Sequence, residues 1–227
     1  MNDQPLAVTM RTPGHDEGLA VGFMLSEGIL LAPTEIKQIT RVDESHLSVQ
    51  LQHGVTVDVQ RLRRNMFISS SCGVCGKALL ENVKIIARPA TEFQLSRTVA
   101  AGLTEELRAH QPAFDATGGL HAAGLFGLDG AALAVREDVG RHNAVDKVIG
   151  AVAVDTWPLP PCILVVSGRQ SFEIVQKAAV VGVGGVIGVS APSSLAVELA
   201  QALGLLLVGF SRGSAFNVYA GERHLCP

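Results

Sequence analysis

At 227 residues the chain is long enough to bury a substantial core, as one large domain or two small ones. Hydrophobic residues make up 48% and charged residues 17%, with no extended low-complexity tract, which excludes a disordered chain. A net charge of −3 argues against a broad nucleic-acid or anionic-membrane surface, so any anion must be held in a local pocket.

Glycine, proline and polar residues break every apolar run short of the ~18 residues that span a bilayer. The start, Met1-Asn-Asp-Gln-Pro5, has no basic stretch followed by an apolar core, so a cytoplasmic address is expected. From Asp16 to Leu31, apolar residues recur at helical spacing (Leu19, Ala20, Phe23, Met24, Ile29), with Gly18, Gly22 and Gly28 weakening the pattern. Two alternating runs, Leu47 to Leu51 and Val55 to Val59, flank Gln52-His53-Gly54 and predict a hairpin. Residues 1–65 therefore read as a small N-terminal α+β domain.

A basic and then serine-rich stretch, Arg61 to Arg64 and Ser69 to Ser71, marks a domain boundary near Asn65. Over 66–227, strand and helix patterns alternate. Helices are predicted at 95–110, 143–154, 172–181 and 194–203. Strands are predicted at 121–126, 131–136, 163–166, 186–189, 205–210 and 216–220. This alternation favours an α/β architecture, a parallel or mixed sheet layered with helices.

The chain has four cysteines, and in a cytosolic protein they read as metal, redox or nucleophile chemistry. Cys162 lies in an apolar strand pattern and reads as a packing residue, and Cys226 as incidental. Cys72-Gly-Val-Cys75-Gly76-Lys77 is the informative segment. Its glycines give an exposed, adaptable loop, and Lys77 with the helical-looking stretch beyond it would favour thiolate. A thiolate can accept a sulfane sulfur and hold it as a persulfide. Rival readings of this CxxC exist. A structural zinc site needs two more ligands, and no second CxxC or paired HxxxH occurs. A thioredoxin-like pair would follow a first strand, whereas a serine run precedes this one. A deaminase-type zinc site needs HxE before PCxxC; His15-Asp16-Glu17 matches HxE, but it lies far upstream and Ser71 replaces the proline. The motif alone leaves redox, metal and sulfur-transfer roles open.

Three further segments sit at strand ends, where ligands commonly bind. Glu137-Asp-Val-Gly-Arg-His142-Asn-Ala-Val-Asp146-Lys147 reads as a helix start with a solvated acidic turn, with His142 and Asp146 sharing one face. Ser167-Gly-Arg169-Gln-Ser171 offers backbone N–H groups and a guanidinium to a phosphate, or is an ordinary capped turn. Phe210-Ser211-Arg212-Gly213-Ser214-Ala215 combines an aromatic face, a guanidinium and small residues, parts suited to stacking a purine and holding its phosphates. A polar loop between strands is equally compatible. Gly182 to Gly188 fails the GxGxxG fingerprint at Ile187 and reads as tight packing around a strand.

Taken in order, these segments resemble the FdhD family of formate dehydrogenase accessory sulfurtransferases. The resemblance rests on Gly22 to Ile29, Cys72 to Gly76, Glu137 to Lys147, Ser167 to Lys177 and Val208 to Tyr219, which together span nearly the whole chain. It implies that a cysteine desulfurase loads sulfur onto the loop, with Cys72 as the persulfide-bearing residue and Cys75 as its partner thiol. It implies delivery to the molybdenum bis(molybdopterin guanine dinucleotide) cofactor, bound as client through Phe210 to Ala215, for use by formate dehydrogenase. No permanently bound metal is implied. The larger domain is expected to resemble the cytidine deaminase fold, and the protein to be a homodimer. Family members usually carry another strand and linker before a stretch like Pro5 to Pro13, so a fragment or a late start is expected here. Two rivals remain: a zinc-dependent deaminase-like hydrolase, and a non-catalytic chaperone that only holds the cofactor.

Overall fold

Helix α1 (Asp16–Ser26) starts directly after two positive-φ residues, Gly14 and His15, and its register buries Leu19, Val21, Met24 and Leu25. These positions belong to one of two apolar clusters in a computed structural model of the chain, which describes residues 5–57, 83–84, 86–88 and 92–227. The helix ends sooner than the predicted 16–31, because Gly28 takes a φ of +66° and turns the chain away. Next come β1 (Ile36–Arg41) and β2 (Leu47–Leu51), an antiparallel pair. The predicted hairpin partner of Leu47 to Leu51 was the run from Val55. Residues 55–57 form no strand, and Asp58 and Val59 lie outside the described residues. The true partner was hidden because β1 tucks in only Ile36 and Ile39, three apart, so its sequence lacks the period of two. The predicted boundary near Asn65 also lies outside the described residues.

Leu95 and Ser96 form the short strand β3 rather than the start of a helix. Ser96 then caps α2 (Arg97–Ala109), its hydroxyl accepting from Thr98 N at 3.2 Å. Ala100, Leu103, Thr104 and Leu107 are the buried stripe of α2, at the spacing of one helix face. The short helix α3 (Pro112–Thr117) was not predicted. Proline sits in its first turn, and the Glu137 carboxylate accepts from Ala113 N at 2.8 Å and Phe114 N at 2.7 Å. That cap comes from a residue distant in sequence.

Six strands form the central sheet: β4 (His121–Gly127), β5 (Ala132–Asp138), β6 (Cys162–Val166), β7 (Gly185–Gly188), β8 (Leu206–Arg212) and β9 (Ala215–Ala220). Their order is β5-β4-β6-β7-β8-β9. Helix α4 (Arg141–Ala153) follows β5, while α5 (Phe172–Val181) and α6 (Ser194–Leu203) connect β6, β7 and β8. Those three strands run parallel, and β5, β4 and β9 complete the sheet in antiparallel pairings, which gives the mixed α/β architecture expected. The last strand, β10 (Leu225–Cys226), pairs in parallel with β3.

The sheet is covered on both faces, so its central strands read as continuous apolar runs. Cys162, Leu164 and Val166 of β6 face the cluster shared with α1, α4, α5 and α6. Ile163 and Val165 face the second cluster, shared with α2. Because β4 runs against β6, its first residue lies at the same end of the sheet as the last residues of β6, β7 and β8.

Candidate functional site

At that end of the sheet lies a cavity of 590 Å³, lined from α2 and α3 by Thr104, Glu105, Gln111 and Phe114. The strand ends contribute His121, Ser167, Val189, Ser211, Arg212 and Gly213. Carboxyl ends of parallel strands are where open α/β sheets bind ligands, since the helices that follow leave a crevice there.

Of the six residues read as cofactor-binding, Ser211, Arg212 and Gly213 line this cavity. Phe210, Ser214 and Ala215 are exposed beside it. The local backbone explains the split. Phe210 takes a φ of +53°, rare for a bulky side chain, and the β8–β9 register shifts between Gly209 and Arg212. Such a bulge re-aims the residues that follow it. Ser211 is thereby fully buried, its carbonyl and hydroxyl 3.3 and 3.4 Å from Thr104 Oγ1 on α2. Gly213 then turns the chain into β9 with a φ of +55°.

His121 lines the other side of the cavity, with two arginines close to it. A Cβ on Gly168 would meet His121 Nδ1 at 3.3 Å and Arg141 Cδ at 3.9 Å, so those two side chains flank the loop after β6. Burial lowers the His121 pKa, and the neighbouring Arg141 and Arg169 lower it further. Among the described residues the Arg141, Arg169 and Arg212 side chains have no hydrogen-bond or ion-pair partner, and Arg141 Nε is buried. Every other described arginine bonds a carboxylate or a carbonyl. Uncompensated guanidiniums gathered round a cavity suit an anionic ligand.

The stretch from Glu137 to Lys147 is not the solvated turn its composition suggested. Asp138 is fully buried and accepts from Lys147 Nζ at 2.7 Å, Gly140 N at 2.8 Å, and Thr12 N and Asn143 Nδ2 at 3.0 Å. Asp146 accepts from Ser26 Oγ at 2.7 Å and Lys177 Nζ at 2.8 Å, and Lys177 also reaches Glu27 Oε1 at 2.6 Å. Burial alone would lower the Lys177 pKa, but Asp146 and Glu27 together raise it, so the ammonium stays charged. These groups hold α1, α4 and α5 together. His142 does not join Asp146; its Nε2 lies 3.4 Å from Ser171 Oγ, and burial, then Arg141 and Lys177, push its pKa down to about 4.

Cys72, Cys75 and Lys77 lie outside the described residues. Cys162 is the packing residue expected, its thiol pushed by burial up to about 12 and thus unreactive. In the His15-Asp16-Glu17 stretch, Asp16 is buried in ion pairs with Arg11 at 2.8 Å and Arg41 at 2.6 Å, while His15 and Glu17 are exposed. Among the described residues no cluster of three or more His, Cys, Asp or Glu side chains is placed to hold a metal. None of their helices is long and apolar enough to cross a membrane. Thr104, Glu105, Gln111 and His121 escaped the sequence reading. The one available signal was Thr104, a hydroxyl inside the apolar stripe of α2.

The chain is thus an α/β protein, a mixed sheet with a cavity at its parallel strand ends. Over residues 1–226 the chain matches the FdhD/NarQ family, and it belongs to that family. It is 48% identical to the sulfur carrier protein FdhD of Streptomyces avermitilis, across 99% of this chain and 85% of the relative. For the sulfur carrier protein FdhD of Streptomyces coelicolor the identity is 49%, across 97% and 83%. Among solved structures, a candidate formate dehydrogenase accessory protein from Desulfotalea psychrophila superposes with a TM-score of 0.78 at 25% identity, covering 99% of this chain and 86% of that one.

Proposed function

We propose that this protein is a sulfurtransferase that takes persulfide sulfur from a cysteine desulfurase onto Cys72. It passes the sulfur to the molybdenum bis(molybdopterin guanine dinucleotide) cofactor that formate dehydrogenase requires. The cofactor is the client, and its guanine nucleotide lies in the cavity at the strand ends. The observation that carries this reading is a cavity lined by Ser211, Arg212 and Gly213, with Arg141 and Arg169 close to its lining His121 and all three arginines without partners among the described residues.

The chemistry balances without an outside oxidant. The Cys72 thiolate attacks the terminal sulfur of the donor persulfide, a new S–S bond forms on Cys72, and the donor cysteine leaves as thiolate. Attack by the Cys75 thiolate on Cys72 Sγ then expels the carried sulfur as sulfide to the metal. The two thiols supply the two electrons and end as a disulfide, which a dithiol reductant resets.

The test is activation of cofactor-dependent formate dehydrogenase by the parent and by Cys72→Ala, with nucleotide binding measured in parallel. Loss of activation with binding intact is the expected result. Activation that survives in both Cys72→Ala and Cys75→Ala would describe a cofactor holder instead. Arg212→Ala should weaken guanine nucleotide binding, and unchanged affinity would remove that residue from the site.

A further inference from the structure

Glu105 is the cavity's one acidic lining residue, and among the described residues its carboxylate has no hydrogen-bond or ion-pair partner. Arg108 and Arg212 line the same side, but Arg108 is already paired with Asp115. Glu105 Oε1 lies 3.9 Å from where a Cβ of Gly213 would stand, so the free carboxylate sits beside the turn at the end of β8. His121 and Ser167 line the cavity at the start of β4 and just past the end of β6, and Arg141 and Arg169 stand close to His121 outside that lining. In the sheet order β4-β6-β7-β8, three strand spacings separate His121 from the Gly213 turn. At about 4.8 Å per strand this is roughly 14 Å, near the reach of an extended nucleoside diphosphate.

We propose that Glu105 is the guanine-reading residue, and that the nucleotide lies across the strand ends in one direction. The base sits at Glu105 and the Gly213 turn, and the phosphates sit against His121, Arg141 and Arg169. This assignment rests on the nucleotide-cavity reading above and adds its orientation and its base specificity. Guanine carries two donors side by side, N1–H and the exocyclic N2–H, which a carboxylate accepts together. Adenine would turn the N1 lone pair toward that carboxylate, a repulsion that discriminates as strongly as the attraction does. Hypoxanthine keeps N1–H but lacks the exocyclic donor, so it ranks between them. The reverse orientation would set phosphate against the free Glu105 carboxylate, with Arg212 as the one unpaired cation on that side, and would leave both Arg141 and Arg169 facing a neutral base.

Calorimetric titration of the full chain with GDP, IDP and ADP tests the assignment. The parent should bind in the order GDP, IDP, ADP. Glu105→Ala should lose about tenfold or more in GDP affinity, the scale of a hydrogen bond to a charged acceptor, while ADP binding holds or improves. Arg169→Ala should weaken all three ligands by a common factor. Glu105 is exposed on α2, so its replacement leaves the core intact, and Glu105→Gln should fall between parent and Glu105→Ala. A Glu105→Ala protein that keeps the parent ratio of GDP to ADP affinity overturns the orientation while leaving the nucleotide cavity standing. A parent that binds no GDP overturns both.

Discussion

A Cβ on Gly22 would stand 1.7 Å from the carbonyl oxygen of Asp146 and 2.8 Å from Gly150 N. Helices α1 and α4 therefore cross with their backbones touching, and in return a Cβ on Gly150 would lie 1.9 Å from Gly18 O. This close crossing brings Ser26, at the end of α1, within 2.7 Å of the Asp146 carboxylate.

The usual rule for glycine in a helix should invert at this crossing. Glycine to alanine within a helix ordinarily gains about 1 kcal/mol, but Gly22→Ala must push two backbones apart, and it should cost about 3 kcal/mol or more. Gly102, mid-way along α2 and with nothing within 4 Å of its would-be Cβ, is the control. Gly102→Ala should gain about 0.5–1 kcal/mol. Urea unfolding of the two variants should shift the midpoint in opposite directions; a shift of the same sign would contradict the crossing geometry.

The buried pair of Asp146 and Lys177 supports a second prediction. Either Asp146→Asn or Lys177→Met leaves a charge in the core with too few partners, at a cost of about 3–5 kcal/mol. Replacing both together should cost clearly less than the sum of the singles, because no lone charge then remains. Additive effects in a double-mutant cycle would mean that the two groups do not interact as the 2.8 Å contact requires.

The buried strands and amphipathic helices were legible in the sequence because each carries its own period. Cys162 to Val166 is a continuous apolar run, and Ala100, Leu103 and Leu107 recur at helical spacing. What could not be read were features made by distant partners. Glu137 looked like part of a solvated turn, yet it caps α3 some twenty residues upstream. Asp138 and Asp146 carry no sequence mark of the lysines and backbone groups that bury them. The cavity was half legible: Ser211, Arg212 and Gly213 stood out as a polar, small-residue run after an apolar strand. Thr104, Glu105 and His121 join them only because the sheet order sets α2 and β4 beside β8's end.

Stability should fall in acid partly through His142. Its pKa in the folded protein, about 4, lies below the ordinary 6.5, through burial and then through Arg141 and Lys177, against the opposing Glu173 and Glu27. The unfolded chain therefore takes up the proton first. Stability from this group is complete above pH 6.5 and is lost as pH falls toward about 4. With the ring still partly in contact with solvent, the contribution is about 2 kcal/mol. Unfolding free energies of parent and His142→Gln, compared at pH 7.5 and pH 5, should show the smaller acid loss in the variant. Equal losses would place the acid sensitivity elsewhere.

The central claim, sulfur carriage on Cys72, is tested most directly by intact mass after incubation with a cysteine desulfurase and cysteine. The parent should gain one sulfur atom, removable by a thiol reductant, and Cys72→Ala should gain none. Parent protein that stays unmodified under conditions that load another acceptor, or a Cys72→Ala variant that still gains the sulfur, would contradict it.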